Sequence, residues 1–543
     1  MALLEVRDLT FAYSGTSSPA VKNIRFALER GEFAVLCGAT GSGKSTLMRL
    51  IKKELQPLGR KSGDVFFDGH SPEDLSPRES ASRVGYVCQR PEQQLVTDKV
   101  WHELAFGLEN LGLDQNEMRR RVAETACWFG IEDWFEKDTA ELSGGQKQLL
   151  NLASVMVMRP DILLLDEPTS QLDPIAASDF ISAVQRLNRE LSITVLMTEH
   201  RLEEVFPAAD RVLAMENGCL TVNSPTRTAI ESMRSIPELC ESLPTGVRLH
   251  GLLREEGPAP ISIKEARLYV EKHFDNAVRS LPLPPESPQK GEPALELSDV
   301  VFRYGKNLPD VLRGLSLKVY TGEIFCILGG NGSGKSTLLS LAAGLNRPLR
   351  GGVKIFGQKI ERYTHGSLYD RCVTLLPQDV QTVFLRNTLR EELDGIDLGE
   401  LPFDLSPLMD QHPYDLSGGQ QQLAALAKAL ATKPRLLLMD EPTKGLDAHT
   451  RSGFADVIRR LRAGGVTVVC VTHDVEFASQ IADRCALCFR GEIVSSDVTR
   501  RFLSGNSYYT TAANRIMRGR YENVSAAEDA ALLLLKNRRR SDD

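Results

Sequence analysis

Short, fully apolar runs alternate with longer segments of helical period along this chain. Residues 162–165 and 436–439 are apolar at every position, and each run leads into Asp-Glu-Pro. A central parallel strand, buried on both faces, has this continuous pattern. Residues 32–37, 84–88 and 193–197 read as further strands of the first half, and 323–328 and 373–376 as strands of the second. Residues 45–51 have helical character, 146–157 are periodic and apolar, and 101–134 read as helices. The apolar runs are one strand long, far below the roughly 20 residues that cross a bilayer. The N-terminus carries acids and bases early, with no signal-peptide core. The expectation is a cytosolic chain whose membrane spans, if its process needs any, come from another protein.

The pattern occurs twice. Gly38-Ala-Thr-Gly41-Ser-Gly43-Lys44-Ser45-Thr46 returns as Gly329-Gly-Asn-Gly332-Ser-Gly334-Lys335-Ser336-Thr337, with the lysines 291 residues apart. Leu142-Ser143-Gly144-Gly145-Gln146 returns as Leu416-Ser417-Gly418-Gly419-Gln420, offset by 274. Leu165-Asp166-Glu167-Pro168-Thr169 returns as Met439-Asp440-Glu441-Pro442-Thr443 at the same offset, and His200 returns as His473. So long a period means two whole domains rather than a solenoid. From Gln89 to Ser143 is 54 residues, but from Gln378 to Ser417 is 39, so the first domain has 15 more residues there. The two domains therefore present different surfaces in that region.

The repeated strings carry phosphate chemistry. Strand, glycine loop and helix in that order is the context of a P-loop. Its glycines let backbone N–H groups face phosphate oxygens, and the helix N-terminus adds partial positive charge. Lys44 and Lys335 are placed to neutralise β- and γ-phosphates, and Ser45 and Ser336 to ligate Mg²⁺. The carboxylates of Asp166 and Asp440 end a buried strand, where open α/β sheets bind ligands. They are the expected partners of Mg²⁺, with Glu167 and Glu441 polarising the attacking water. Ser143 and Ser417 are good N-caps, and the glycines after them leave helix N–H groups uncovered. That makes a second anion-binding helix end in each domain. One nucleotide per domain then implies that one domain's helix end caps the nucleotide of another, head to tail. A lone histidine is more often structural, but the repeat of His200 as His473 favours a functional role. Gln89 and Gln378 each follow a strand. Tyr13 and Tyr304 are placed either to stack on adenine or to sit in a core.

Net charge of -7 argues against bulk nucleic-acid binding, which needs a basic face. Ten cysteines are scattered, and the single CxxC, Cys485 to Cys488, has no second pair to complete a zinc site. Small buried cysteines of a reduced protein are expected. Ser262-Ile-Lys-Glu265 reads as a capping box opening a short helix. Residues 281–288, rich in proline, read as a semi-rigid spacer. Residues 536–540, Lys-Asn-Arg-Arg-Arg, read as a solvated basic end. The domains are thus 1–235, a helical and Pro-rich linker over 236–293, a second domain over 294–520, and a charged tail over 521–543.

These strings resemble the ABC ATPase family over nearly the whole chain. The resemblance implies an α/β fold of two tandem P-loop NTPase domains, each a mostly parallel sheet core with an antiparallel β subdomain and a helical subdomain. It implies ATP and Mg²⁺ as ligands. Residues 38–46 and 329–337, including Gly38, Gly41, Gly43, Thr46, Gly329, Gly332, Gly334 and Thr337, would be the Walker A loops. Asp166 and Asp440 would close Walker B, and Glu167 and Glu441 would be catalytic. Ser143, Gly144, Gly145 and Gln146, with Ser417, Gly418, Gly419 and Gln420, would be the signatures. Gln89 and Gln378 would be the Q-loop residues touching Mg²⁺, and His200 and His473 the switch histidines. Neither set is degenerate. Gln89-Arg-Pro-Glu-Gln-Gln-Leu-Val, Glu103-Leu-Ala-Phe-Gly-Leu-Glu-Asn-Leu-Gly, Thr198-Glu-His-Arg-Leu and Asn506-Ser-Tyr-Tyr-Thr-Thr look like the energy-coupling-factor (ECF) vitamin and metal importers. That resemblance implies a transmembrane coupling protein and a separate membrane substrate-binding subunit as partners, at the cytoplasmic face of the membrane. Sugar or peptide importers, and ribosome-associated tandem ATPases, share the two-domain layout. The latter carry a long basic helical linker, which residues 222–293 are not.

Overall fold

The apolar run before Asp166 forms the strand Ile162–Asp166, and all five of its residues are buried. In the computed structural model it is the second strand of a six-stranded sheet. The order is Val84–Val87, Ile162–Asp166, Thr194–Thr198, Phe33–Gly38, Arg211–Glu216 and Cys219–Pro225. The first five strands run parallel, and the last is antiparallel to its neighbour. A separate antiparallel sheet sets Ala2–Tyr13 between Val21–Glu29 and Gly59–Phe67.

The structure describes residues 2–16, 18–282, 291–364 and 366–538. It divides into two compact units, Met1–Pro244 and Thr245–Asp543. The second unit repeats the sheet in the order Val373–Leu376, Leu436–Asp440, Thr467–Thr472, Ile324–Leu328, Arg484–Phe489 and Glu492–Val498. Here the reason for continuous apolarity is visible. Leu437 and Met439 belong to one core, and Leu436 and Leu438 to the core on the opposite face. Cys485 and Cys488 divide between the same two cores, so the CxxC pair is part of the packing. Cys127 and Cys219 differ from the expectation of burial, because both are exposed.

The longer first-half segment folds as Val100–Asn110 and Gln115–Phe129, packed on Gly144–Met156 through Leu104, Leu108, Val122 and Leu150. Asp114 caps the second of these helices, accepting from the N–H groups of Asn116 and Glu117. The second unit has only the short helix Leu389–Glu392 and 3-10 turns in that place.

The expected linker and tail belong together. Thr245–Leu252, Ile263–His273, Ala512–Met517 and Ala527–Lys536 share one core built from Leu249, Val270, Phe274, Ile516, Leu533 and Leu534. Ser262 does open its helix, accepting from the N–H of Glu265 at 3.2 Å. The returning bond goes one residue further back, from the N–H of Ile261 to Glu265 at 3.1 Å. Ahead of the basic end, Ala530, Leu533 and Leu534 form an apolar stripe at helical spacing, while Lys536 and Arg538 are exposed. Arg538 pairs with Glu255 at 2.8 Å. Residues 283–288 of the expected spacer and residues 539–540 of the basic end lie outside the described residues. Leu534 is fully buried. Leu534→Ala is expected to destabilise this helical cluster by about 2–4 kcal/mol, read as a lower denaturant midpoint for the second unit. An unshifted midpoint would mean that the cluster contributes nothing to the fold.

Candidate functional site

Both glycine loops join a buried strand to a helix, Phe33–Gly38 to Lys44–Ile51 and Ile324–Leu328 to Lys335–Ala342. Gly38 has φ +147, and a Cβ there would lie 2.2 Å from the Met215 carbonyl oxygen. Gly329 repeats this at φ +156, 2.4 Å from the Cys488 carbonyl oxygen. Only glycine fits such a close approach of two backbones. Lys44 Nζ donates to the carbonyls of Gly38 and Ala39, both at 2.9 Å. Lys335 Nζ does the same to Gly329 at 2.9 Å and Gly330 at 3.0 Å. Each ammonium is therefore held across its loop by two backbone carbonyls. Tyr13 and Tyr304 sit beside these helices, with hydroxyls 2.9 and 3.0 Å from Thr46 and Thr337 Oγ1.

Asp166 stands at the end of its strand with three hydroxyl donors. Ser45 and Thr198 reach Oδ1 at 3.0 and 2.9 Å, and Tyr86 reaches Oδ2 at 3.1 Å. Burial, and then the neighbouring Glu167, push its carboxyl above the ordinary range against those three donors. Asp440 is poorer in partners. It has the Ser336 hydroxyl, while its Oδ1 is buried without a hydrogen-bond partner among the described residues. Burial drives Asp440 up to about 6, with the Ser336 hydroxyl opposing and Glu441 adding to the rise.

Glu167 and Glu441 both adopt left-handed backbone, at φ +44 and +47. For a residue with a Cβ this costs about 1–2 kcal/mol, so the surroundings must hold it. Glu167 is bracketed by Gln89 Nε2 at 2.7 Å on one oxygen and His200 Nε2 at 2.7 Å on the other. Glu441 meets His473 through Nδ1 at 3.0 Å and through the histidine N–H at 3.2 Å, with Lys335 Nζ 3.8 Å away. Burial pushes Glu441 up, but His473 and then Lys335 outweigh it and hold the carboxyl below its ordinary value.

The structure thus gathers Lys44, Ser45, Gln89, Asp166, Glu167 and His200 into one cluster, and Lys335, Ser336, Asp440, Glu441 and His473 into another. Gln378 is not gathered: it is exposed, and its side chain makes no hydrogen bond among the described residues. Ser143 and Gln146 close a reciprocal capping box at the tip of Gly144–Met156, and Ser417 and Gln420 do the same for Gly418–Leu430. Neither tip is hydrogen-bonded to the glycine loop of its own unit among the described residues. Tyr86, Thr198 and Glu199 were not anticipated from sequence. Glu199 is buried and accepts from the Thr169 hydroxyl at 2.6 Å and the His200 N–H at 3.2 Å. The only signal was a polar residue at the end of an otherwise apolar strand.

The donors suit a hard cation that arrives with phosphates. Each site offers one carboxylate and one hydroxyl, which is what Mg²⁺ takes from protein when phosphates and water complete its shell. The buried, unpartnered Asp440 Oδ1 is an acceptor for such a shell. Among the described residues no cluster of three or more His, Cys, Asp or Glu side chains would hold a metal by itself.

The model of the family described as ABC transporter matches residues 21–170 and 312–444. A protein of Bacillus thuringiensis subsp. konkukian, provisionally named an ABC transporter ATP-binding protein, is 39% identical over 95% of this chain and 96% of its own. A protein of Streptomyces coelicolor with the same style of name is 34% identical over 91% of this chain and 93% of its own. Among solved structures, the archaeal ribosome recycling factor aABCE1, in complex with the ribosomal stalk protein aP1, superposes with TM-score 0.57. It is 20% identical and covers 92% of each chain, a likeness of fold alone.

Proposed function

Because the chain belongs to the ABC transporter family and is an ATPase with two cassettes, we propose that it is the energy-coupling subunit of an ECF-type importer. The cargo class on this reading is a vitamin, a vitamin precursor or a metal ion, bound by a separate membrane subunit.

In each site the lysine and the loop N–H groups bind the β- and γ-phosphates. Ser45 with Asp166, and Ser336 with Asp440, hold Mg²⁺, which when bound neutralises phosphate charge. Glu167 and Glu441 orient the attacking water and take its proton, and His200 and His473 hold the glutamates in place. Gln89 adds a second constraint on Glu167. The Ser143–Gln146 and Ser417–Gln420 tips serve a nucleotide bound by a partner cassette, in the same chain or in another.

The observation that carries the transport reading is a groove of about 660 Å³ in the first unit, lined by Gln94, Val96, Phe106, Gly107, Leu111 and Met158. Its wall is wired to the site. Gln94 accepts from the Cys88 N–H at 2.9 Å and donates to the Tyr86 carbonyl at 3.0 Å. Gln89, next in sequence, holds Glu167. A membrane partner's helix seated in the groove would therefore bear on the hydrolytic carboxylate through one glutamine turn. Two of the four strings resembling ECF importers, 89–96 and 103–112, lie along this same segment. No described helix is long and apolar enough to cross a membrane, so the spans on this reading belong to the partner.

Tagged protein, extracted with detergent from native membranes, is expected to bring down a polytopic membrane protein. Val96 is 66% exposed, so Val96→Arg should leave ATP binding unchanged. The same substitution should remove most of the captured partner. Recovery of the chain alone, or capture unaffected by Val96→Arg, would sink the coupling role of this groove. A sugar- or peptide-binding partner in the capture would redirect the cargo class.

A further inference from the structure

The two sites share their motifs but not the groups that hold the strand-end aspartate. Parallel register places Tyr86 beside Leu164 in the first unit and Leu375 beside Leu438 in the second. It likewise places Thr198 opposite Asp166, and Val471 opposite Asp440. The Tyr86 and Thr198 hydroxyls of the first site thus have apolar counterparts in the second, while Ser45 keeps a hydroxyl counterpart in Ser336. Thr198 also accepts from the Glu167 N–H at 2.7 Å, where the Glu441 N–H turns instead to the Val471 carbonyl at 2.9 Å.

We propose that Tyr86 and Thr198 are positioning residues that preset Asp166 for magnesium–nucleotide, and that the second site, with Leu375 and Val471, needs more magnesium to fill. The inference rests on the nucleotide reading above. A carboxylate has about four lone-pair directions. Ser45, Thr198 and Tyr86 occupy three at Asp166. One direction on Oδ2 stays open for a cation or its bound water, and the carboxylate plane is pinned before either arrives. Among the described residues, Asp440 has the Ser336 hydroxyl as its one donor and one buried oxygen without a hydrogen-bond partner. It must be ordered as the cation binds, and that ordering weakens binding. Gln89 and Gln378 follow the same division, the first engaged with Glu167 and the second exposed.

The test is equilibrium binding of a fluorescent ATP analogue, titrated with Mg²⁺, in full-length protein. Lys335→Ala isolates the first site and Lys44→Ala the second. The isolated second site is expected to need about three- to tenfold more Mg²⁺ for half-saturation, the scale of one ordinary net hydrogen bond. Tyr86→Phe and Thr198→Val in the first site should each raise the requirement toward the second site's value, while Thr198→Ser retains it. Affinity without Mg²⁺ should stay constant across the set. Leu375→Tyr with Val471→Thr should lower the requirement of the second site, a gain that misfolding does not produce. Equal Mg²⁺ requirements in the two isolated sites, or a Tyr86→Phe effect equally large without Mg²⁺, would overturn the proposal. Absence of nucleotide binding from both isolated sites would overturn the nucleotide reading, and this inference with it.

Discussion

Replacing Glu167 and Glu441 together by glutamine will slow steady-state ATP turnover by about 10²–10⁴-fold while ATP binding stays within a few-fold of the starting protein. Glutamine keeps the size of glutamate and one acceptor oxygen, so the contacts with Gln89 and His200, and with His473, largely persist. What it lacks is a basic oxygen to take the proton of the attacking water. Both glutamates stand in strained left-handed backbone at the same point of the repeat. Glutamine inherits that strain unchanged, so stability should not move. Phosphate release against equilibrium nucleotide binding separates the two effects. Undiminished phosphate release by the double variant would remove both glutamates from the chemistry. The single variants should differ from one another, because Glu167 is held by two side chains and Glu441 by His473 and the nearby Lys335.

The second large effect belongs to a glycine. Gly38→Ala should abolish nucleotide binding at the first site and destabilise its unit by about 2–4 kcal/mol, the combined scale of a disfavoured backbone region and a forced shift of packed atoms. The added methyl would sit 2.2 Å from the Met215 carbonyl oxygen and 2.9 Å from Ser42 Oγ. Backbone cannot yield there as a flexible side chain would, because Met215 lies in the strand paired with Phe33–Gly38. Gly41→Ala is the control. Its φ is +82 but nothing lies within 4 Å of an added Cβ, so about 1 kcal/mol of backbone strain is its whole expected cost. Thermal unfolding and nucleotide titration of the pair read the contrast. Equal behaviour of the two variants would show that loop conformation, and not close approach, sets the requirement at Gly38.

What could be read from residues alone was the chemistry carried by short, contiguous strings. A glycine loop between strand and helix, a Ser-Gly-Gly-Gln helix start and an Asp-Glu pair after an apolar run each act through backbone within a few residues. Their placement at strand ends follows from burial on both faces, which leaves polar residues only where the strand emerges. Leu436 to Met439, split between two cores, display that rule directly.

Tertiary structure decided everything that depends on which strands are neighbours. Tyr86 reaches Asp166 from 80 positions away and Thr198 from 32, across parallel strands whose order is not sequence order. An isolated Tyr or Thr in an apolar strand carries no local sign of such a partner. Gln378 occupies the position of Gln89 in the motif, yet side-chain reach and exposure in the folded unit separate the two. The tail reads as charged when counted, but Leu533 and Leu534 fall on its buried face and meet a surface that residues 245–281 supply, while Leu532 and Leu535 stay exposed. Motif chemistry is local and survives in the string. Hydrogen-bond partnership and burial are properties of proximity, and only folding brings together residues so far apart along the chain.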